Sequence, residues 1–180
     1  MKKVTQRKAQ PVTQQAKFTE LVIVIGSVTG TAEGTARYIA KNLPQYLGTD
    51  ATTDSHRLLS ANATITLTTQ PQVDELADAS NASRLWLFCV SNTGQGVLPD
   101  HLHPFMVELS KTPHSLQHCH YLLINFGDSS FRTFGQSGRT LKQALYRKSA
   151  NCLAEPLLID AMRERYPKIA ALKWLTGHIQ

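Results

Sequence analysis

Cysteine is scarce in this chain. Cys89, Cys119 and Cys152 are the whole complement, an odd number with no C-x-x-C spacing. A disulfide scaffold and a standard zinc site are therefore not expected, and a reducing, cytoplasmic setting is the default. Long apolar runs are also lacking. The longest falls far short of the ~20 residues of a membrane span, and the first residues show no signal-peptide apolar region. Two familiar phosphate motifs are missing as well: no Gly-Lys-Ser/Thr for a nucleoside triphosphate and no G-x-G-x-x-G for a dinucleotide. No Ser/His/Asp arrangement stands out for nucleophilic catalysis. His114, His118, Cys119 and His120 cluster in sequence, but their spacing fits no standard metal site and they lead into a strand.

Charge is lopsided. Residues 1–17 hold Lys2, Lys3, Arg7, Lys8 and Lys17 and no acid, leaving 14 basic against 13 acidic residues in the remainder. The sequence pI of about 9.4 thus reflects mostly this segment. Rich in Gln, Thr and Lys, it is expected to be a disordered tail over 1–17. It is either a plain solvated extension or a contact for nucleic acid or an acidic partner; no other part of the chain suggests nucleic acid. With 42% hydrophobic residues, the 180-residue chain is expected to bury one core, as a single domain over 18–180.

What is present is a repeated strand-then-loop pattern. Leu21 to Ile25 is a continuous apolar run with four β-branched residues, suited to a parallel strand covered on both faces. A turn of small and hydroxyl residues follows, Gly26-Ser27-Val28-Thr29-Gly30-Thr31-Ala32. From Glu33 onward, Ala36, Ile39, Ala40 and Leu43 recur at helical spacing. The turn thus opens a helix, where free N–H groups and the macrodipole favour a phosphate. It holds no basic residue, which favours a monophosphate bound by neutral donors.

Further on, Gly48 to Ser60 reads as a polar insertion and Ala63 to Thr68 as an outer strand. Val73 to Ala79 reads as a short helix and Leu85 to Val90 as a central strand. Pro99 begins a helix filled by Leu102, Phe105, Met106 and Leu109. Tyr121 to Phe126 is the next central strand, followed by a helix over Gly138 to Arg147 and a last strand over Leu153 to Ile159. Ala161 to Thr176 closes the chain as a helix that Pro167 breaks or kinks. Such alternation implies an α/β fold: a doubly wound, five-stranded parallel sheet with helices on both faces. Loops after the strands would then meet at the carboxyl edge, where such sheets bind ligands.

Three of these loops resemble those of the flavodoxin family. Ser27 to Ala32 is similar to its phosphate loop, and Val90-Ser91-Asn92-Thr93-Gly94-Gln95-Gly96-Val97-Leu98-Pro99-Asp100 to its first flavin loop. Asn125-Phe126-Gly127-Asp128-Ser129-Ser130-Phe131-Arg132-Thr133-Phe134-Gly135 is similar to its second. The likeness runs from Phe18 to the C-terminus and is closest in style to the short MioC-like members. It implies FMN as cofactor, with Ser27, Val28, Thr29, Gly30, Thr31 and Ala32 around the phosphate. Ser91 and Asn92 would reach the ribityl chain and pyrimidine edge, within a loop that also includes Thr93, Gln95 and Gly96. Gly94 would turn its peptide to accept a hydrogen bond from the protonated flavin nitrogen after one-electron reduction. The amides of Asp128 and Gly135, beside Gly127, would serve the remaining pyrimidine atoms, and Phe131 would stack on the ring.

The departures from the family pattern are specific. Val28, Thr31 and Ala32 replace hydroxyl or amide side chains, Thr31 adding a hydroxyl of its own. Thr93 stands where many members carry a stacking Trp or Tyr. Phe131 replaces a Tyr, and Gly135 a Cys. A lost stacking contact is worth ~0.5–1.5 kcal/mol, while charge-assisted phosphate bonds contribute ~1.5–3 kcal/mol each, so FMN binding is expected to be weakened but retained. Gln95 and Val97 stand where acids are common, and Arg132, Arg139, Lys142, Arg147 and Lys148 add positive charge with no acid between Arg132 and Lys148. The resemblance implies an electron carrier working between a reductase and an acceptor enzyme. Two other readings stay open: a flavodoxin fold that has lost stable flavin binding and acts as an interaction module, and an FMN-dependent reductase with its own substrate.

Overall fold

The computed structural model describes residues 17–48, 57–93 and 95–180. Residues 1–16, most of the basic tail, and residues 49–56, most of the polar insertion, lie outside them.

The apolar runs form the centre of one parallel sheet. Strand β1 (Phe18–Gly26) is followed by helices α1 (Thr31–Asn42) and α2 (Pro44–Leu47), then β2 (Leu59–Thr68) and α3 (Val73–Ala77). Next come β3 (Arg84–Ser91), α4 (His103–Lys111), β4 (His120–Gly127) and α5 (Gln136–Arg147). The chain ends with β5 (Asn151–Cys152), β6 (Leu157–Asp160) and α6 (Pro167–Ile179). The sheet order is β2-β1-β3-β4-β5, with β6 also pairing to β4. All pairings are parallel. Five positions across the sheet are filled as expected, but the last is shared by two short segments. Between them lie Leu153 to Pro156, and Pro156 has no N–H to give the ladder.

Because side chains alternate across a strand, the central strands feed two cores. Leu21, Ile23, Ile25, Leu87, Cys89, Leu122 and Ile124 pack with Ala32, Ala36 and Ile39 of α1 and Ala171, Leu172 and Leu175 of α6. On the other face, Val22, Val24, Trp86, Phe88, Tyr121 and Leu123 pack with Val73 and Leu76 of α3, Phe105 and Leu109 of α4, and Leu141 and Leu145 of α5. Phe88 and Tyr121 meet edge to face with centroids 5.9 Å apart. These are the three layers of the expected fold.

Several boundaries differ from the sequence reading. Leu59 and Ser60 belong to β2, Leu59 being fully buried. A 3₁₀ turn (Asp100–Leu102) intervenes after Pro99, and the proline in the first turn of α4 is Pro104. Pro167 neither breaks nor kinks the closing helix. It opens α6 at the first position, where its missing N–H has no partner to lose. Ala161 to Tyr166 instead form a turn segment between β6 and α6.

Candidate functional site

The strand order reverses direction at β1 and β3, the topological switch point of such a sheet. Loops after β1, β3, β4 and β6 all leave from this carboxyl edge, and they enclose a cleft of about 560 Å³. That lies within the ~300–1,000 Å³ of small-molecule sites. Eight predicted residues line it: Thr29 and Thr31 from the first loop, Ser91, Asn92 and Thr93 from the second, and Gly127, Asp128 and Phe131 from the third.

At one end the chain turns into α1. Gly30 takes φ +88° and its missing Cβ would face open space. A side-chain-bearing residue would be strained in this left-handed conformation. The Ser27 Oγ accepts the Gly30 N–H at 3.1 Å, fixing the turn. The start of α1 carries no side-chain cap, so its first amides remain donors for an anion. Val28 projects outward, 63% exposed, and Ala32 is buried in the core, so both could offer only backbone to a ligand.

The second loop is held from within. The buried Ser91 hydroxyl donates to the Gly26 carbonyl at 3.2 Å. Asn92 engages both its Nδ2 and its Oδ1 with the third loop and α5. Its Nδ2 donates to the Thr133 carbonyl at 2.7 Å, and its Oδ1 accepts the Ser137 N–H at 3.0 Å and the Ser137 hydroxyl. The Thr93 hydroxyl and N–H both donate to the Val97 carbonyl. Gly94 lies outside the described residues. Gln95 is exposed, and Gly96 is packed against Thr133 and Gln136.

The third loop is shaped by Asp128, whose Oδ1 accepts the N–H of Ser130 at 2.8 Å. Phe131 follows on the rim, 55% exposed. Gly135 caps α5 at φ +74° and does not line the cleft.

The sequence reading missed a fourth wall. Ile159, Ala161, Glu164, Arg165 and Pro167 of the β6–α6 segment also line the cleft. Asp160, at the end of β6, is the anchor: its Oδ1 accepts the N–H groups of Ser129 and Met162, both at 3.0 Å. Burial alone would raise the Asp160 pKa, but the Ser129 hydroxyl and amide, the Met162 amide and Arg163 together hold it below the usual carboxylate value. An acid ending a strand, followed by a turn-forming segment, was the available signal. The buried thiols are unsuited to chemistry, Cys119 being pushed up to about 12 by burial. Among the described residues there is no group of three His, Cys, Asp or Glu placed to hold a metal, and no helix long and apolar enough to cross a membrane.

The cleft thus offers hydroxyls and free amides at one end and the apolar side chains of Phe126, Phe131 and Ile159 along its walls. Doubly wound sheets commonly bind nucleotides and flavins in a cleft at this switch point. The family model described as Flavodoxin matches residues 23–174, and the chain belongs to the flavodoxin family. It is 27% identical over 153 residues to the MioC homologue of Haemophilus influenzae, covering 85% of this chain and 94% of that protein. It is also 33% identical over 89 residues to flavodoxin YqcA of Escherichia coli K12, covering 49% and 60% of the two chains. Among solved structures, a cysteine-to-serine mutant of flavodoxin from Pseudomonas aeruginosa superimposes with a TM-score of 0.68 at 27% identity, over 88% of this chain and 95% of that one. Family membership supports a flavin-binding, electron-transfer role in general terms.

Proposed function

We propose that this chain binds FMN and carries single electrons between a reductase and an acceptor enzyme in the cytoplasm. The observation that carries this reading is the convergence of the Thr29–Thr31 turn and the Phe131 ring on one cleft at the switch point. Bound FMN would supply the redox chemistry, while the protein positions it and sets its field.

In this reading the domain is residues 18–180, preceded by the basic segment 1–17. Thr29, Thr31 and the first amides of α1 would hold the phosphate, with Ser27 and Gly30 shaping the turn. Phe131 would offer its ring to the isoalloxazine. The backbone of Gly127 and Asp128 would face the pyrimidine edge, and Gly94 the reducible nitrogen, while Gly135, outside the cleft, would only shape the start of α5. Asn92 acts as a positioning residue, because its amide is already engaged with Thr133 and Ser137. Ser91 likewise ties β3 to β1.

The carrier role is tested by loading the chain with FMN, reducing it and mixing it with a one-electron acceptor such as cytochrome c. Transfer matching the flavin present, without direct oxidation of NADPH or NADH by the protein alone, supports a carrier. Direct oxidation coupled to a small acceptor would mean a reductase instead.

One observation favours a second reading, an interaction module without stable flavin. The Asn92 and Ser91 side chains are spent internally, and Thr93 offers no ring. Flavin affinity separates the two.

A further inference from the structure

The phosphate loop contains no cation, yet the folded chain brings cations to it from more than 130 positions away in sequence. Arg165 lines the same cleft as Thr29 and Thr31. Lys168, in the first turn of α6, lies over the first turns of α1: a Cβ built on Gly34 would meet its Cε at 3.5 Å and its Nζ at 3.6 Å. Gly34 leaves room for that side chain. Neither cation forms an ion pair among the described residues.

Among the described residues no acid is paired with them, although Glu164 lines the same cleft, and the Arg165 guanidinium lies 5.7 Å from the centroid of the Tyr166 ring. The nearby acids are Glu33, bound to Arg37 at 2.9 Å, and Glu164, whose Oε1 accepts the Tyr166 N–H at 2.8 Å. Asp160 is held by two amides and faces Arg163 at 3.5 Å. The first turn of α6 has no acidic residue. Lys168 thus stands beside the positive ends of two helices, an unfavourable place for a cation unless an anion joins it.

We infer that Arg165 and Lys168 form a cationic arm that closes over the phosphate end of the cleft and makes the site select phosphorylated over unphosphorylated flavin. The inference rests on the FMN reading and adds specificity-determining residues to it. An arginine and a lysine can both donate charge-assisted hydrogen bonds to a phosphate monoester, and such contacts weaken with salt.

The test compares the affinities of the full chain for FMN and for riboflavin, at low and high ionic strength, in wild type, Arg165→Gln, Lys168→Gln and the double variant. Both residues are exposed, so folding should be unaffected, and far-UV circular dichroism checks it. Each single variant should lose roughly threefold to tenfold in FMN affinity at low salt. Riboflavin affinity should not change, and the double variant should show a flattened salt dependence. Variants that bind FMN as the wild type does, or that lose FMN and riboflavin equally, would overturn the inference and leave FMN binding itself standing. A wild-type chain that takes up no FMN would overturn both.

Discussion

The carboxylate of Asp160 accepts the backbone N–H of Ser129 at 3.0 Å, joining the end of β6 to the loop that carries Phe131. Its remaining contacts, the Met162 N–H at 3.0 Å and Arg163 at 3.5 Å, fix the turn into α6. One side chain thus sets the distance between two walls of the cleft. Asp160→Ala should lower the denaturant midpoint and weaken flavin binding together. Because the folded-state pKa is depressed, the stabilisation from this group is complete above the ordinary carboxylate value of ~3.9. It is lost as pH falls through the lower folded value. Asp160→Asn should therefore flatten the acid limb of the stability curve. An unchanged acid limb would contradict the assignment.

Asn92 plays the matching part for the second loop. Removing its amide in Asn92→Ala leaves the Thr133 carbonyl and the Ser137 N–H without their partner. Unpaired groups of this kind cost ~1–3 kcal/mol. Chemical denaturation should report a loss of that order, and flavin affinity should fall because the loop is released. A fall in affinity at unchanged stability would mean that Asn92 touches the ligand directly.

The junction of α5 and β4 depends on a close approach. A Cβ on Gly138 would lie 2.6 Å from Asn125 Nδ2 and 2.8 Å from its Cβ. Asn125 is buried, with its Oδ1 3.1 Å from the Ser137 hydroxyl oxygen whose proton it shares with Asn92, so it has little freedom to retreat. Gly138→Ala should cost ~1–3 kcal/mol through overpacking, read as a lowered thermal midpoint.

The field around the flavin should also be unusual. Lys142 is paired with Glu155 at 2.8 Å, which offsets one charge of the basic run. Arg132, next to Phe131, and Arg139, donating to the Phe134 carbonyl at 2.9 Å, make no such pair among the described residues. Each charge near the ring is worth ~1 kcal/mol at moderate dielectric, or tens of millivolts. Redox titration of the FMN complex should give a final reduction step less negative than in acidic flavodoxins, and Arg132→Glu should lower it. A potential as low as theirs would contradict this, and a docking partner less basic than the usual reductase goes with the same charge.

The layers were legible in the sequence because β1, β3 and β4 are buried on both faces and read as apolar runs, interrupted in β4 by Asn125. The hydroxyl turn before α1 was equally plain, since helix spacing begins straight after it. Less visible was the split of the last strand, which depends on where Pro156 falls against β4. Pro167 was ambiguous for a physical reason: the same ring that breaks a helix interior is favoured at its first position. The internal engagement of Asn92 could not be read at all, because its partners Thr133 and Ser137 lie about forty positions away. Asp160, Arg165 and Lys168 were hidden in the same way. Arg165 reaches the cleft, Asp160 the Ser129 amide and Lys168 the start of α1, only once β6 has paired with β4 and α6 has packed on α1.

The most direct test of the account is titration of FMN with the purified chain, followed by flavin fluorescence, with Gly30→Asp as control. That variant places a carboxylate where the phosphate would sit and strains a turn held at φ +88°. Saturable quenching by the wild type, lost in the folded variant, is the expected result. No quenching at micromolar protein, or equal quenching by both, would contradict an FMN site at the switch point.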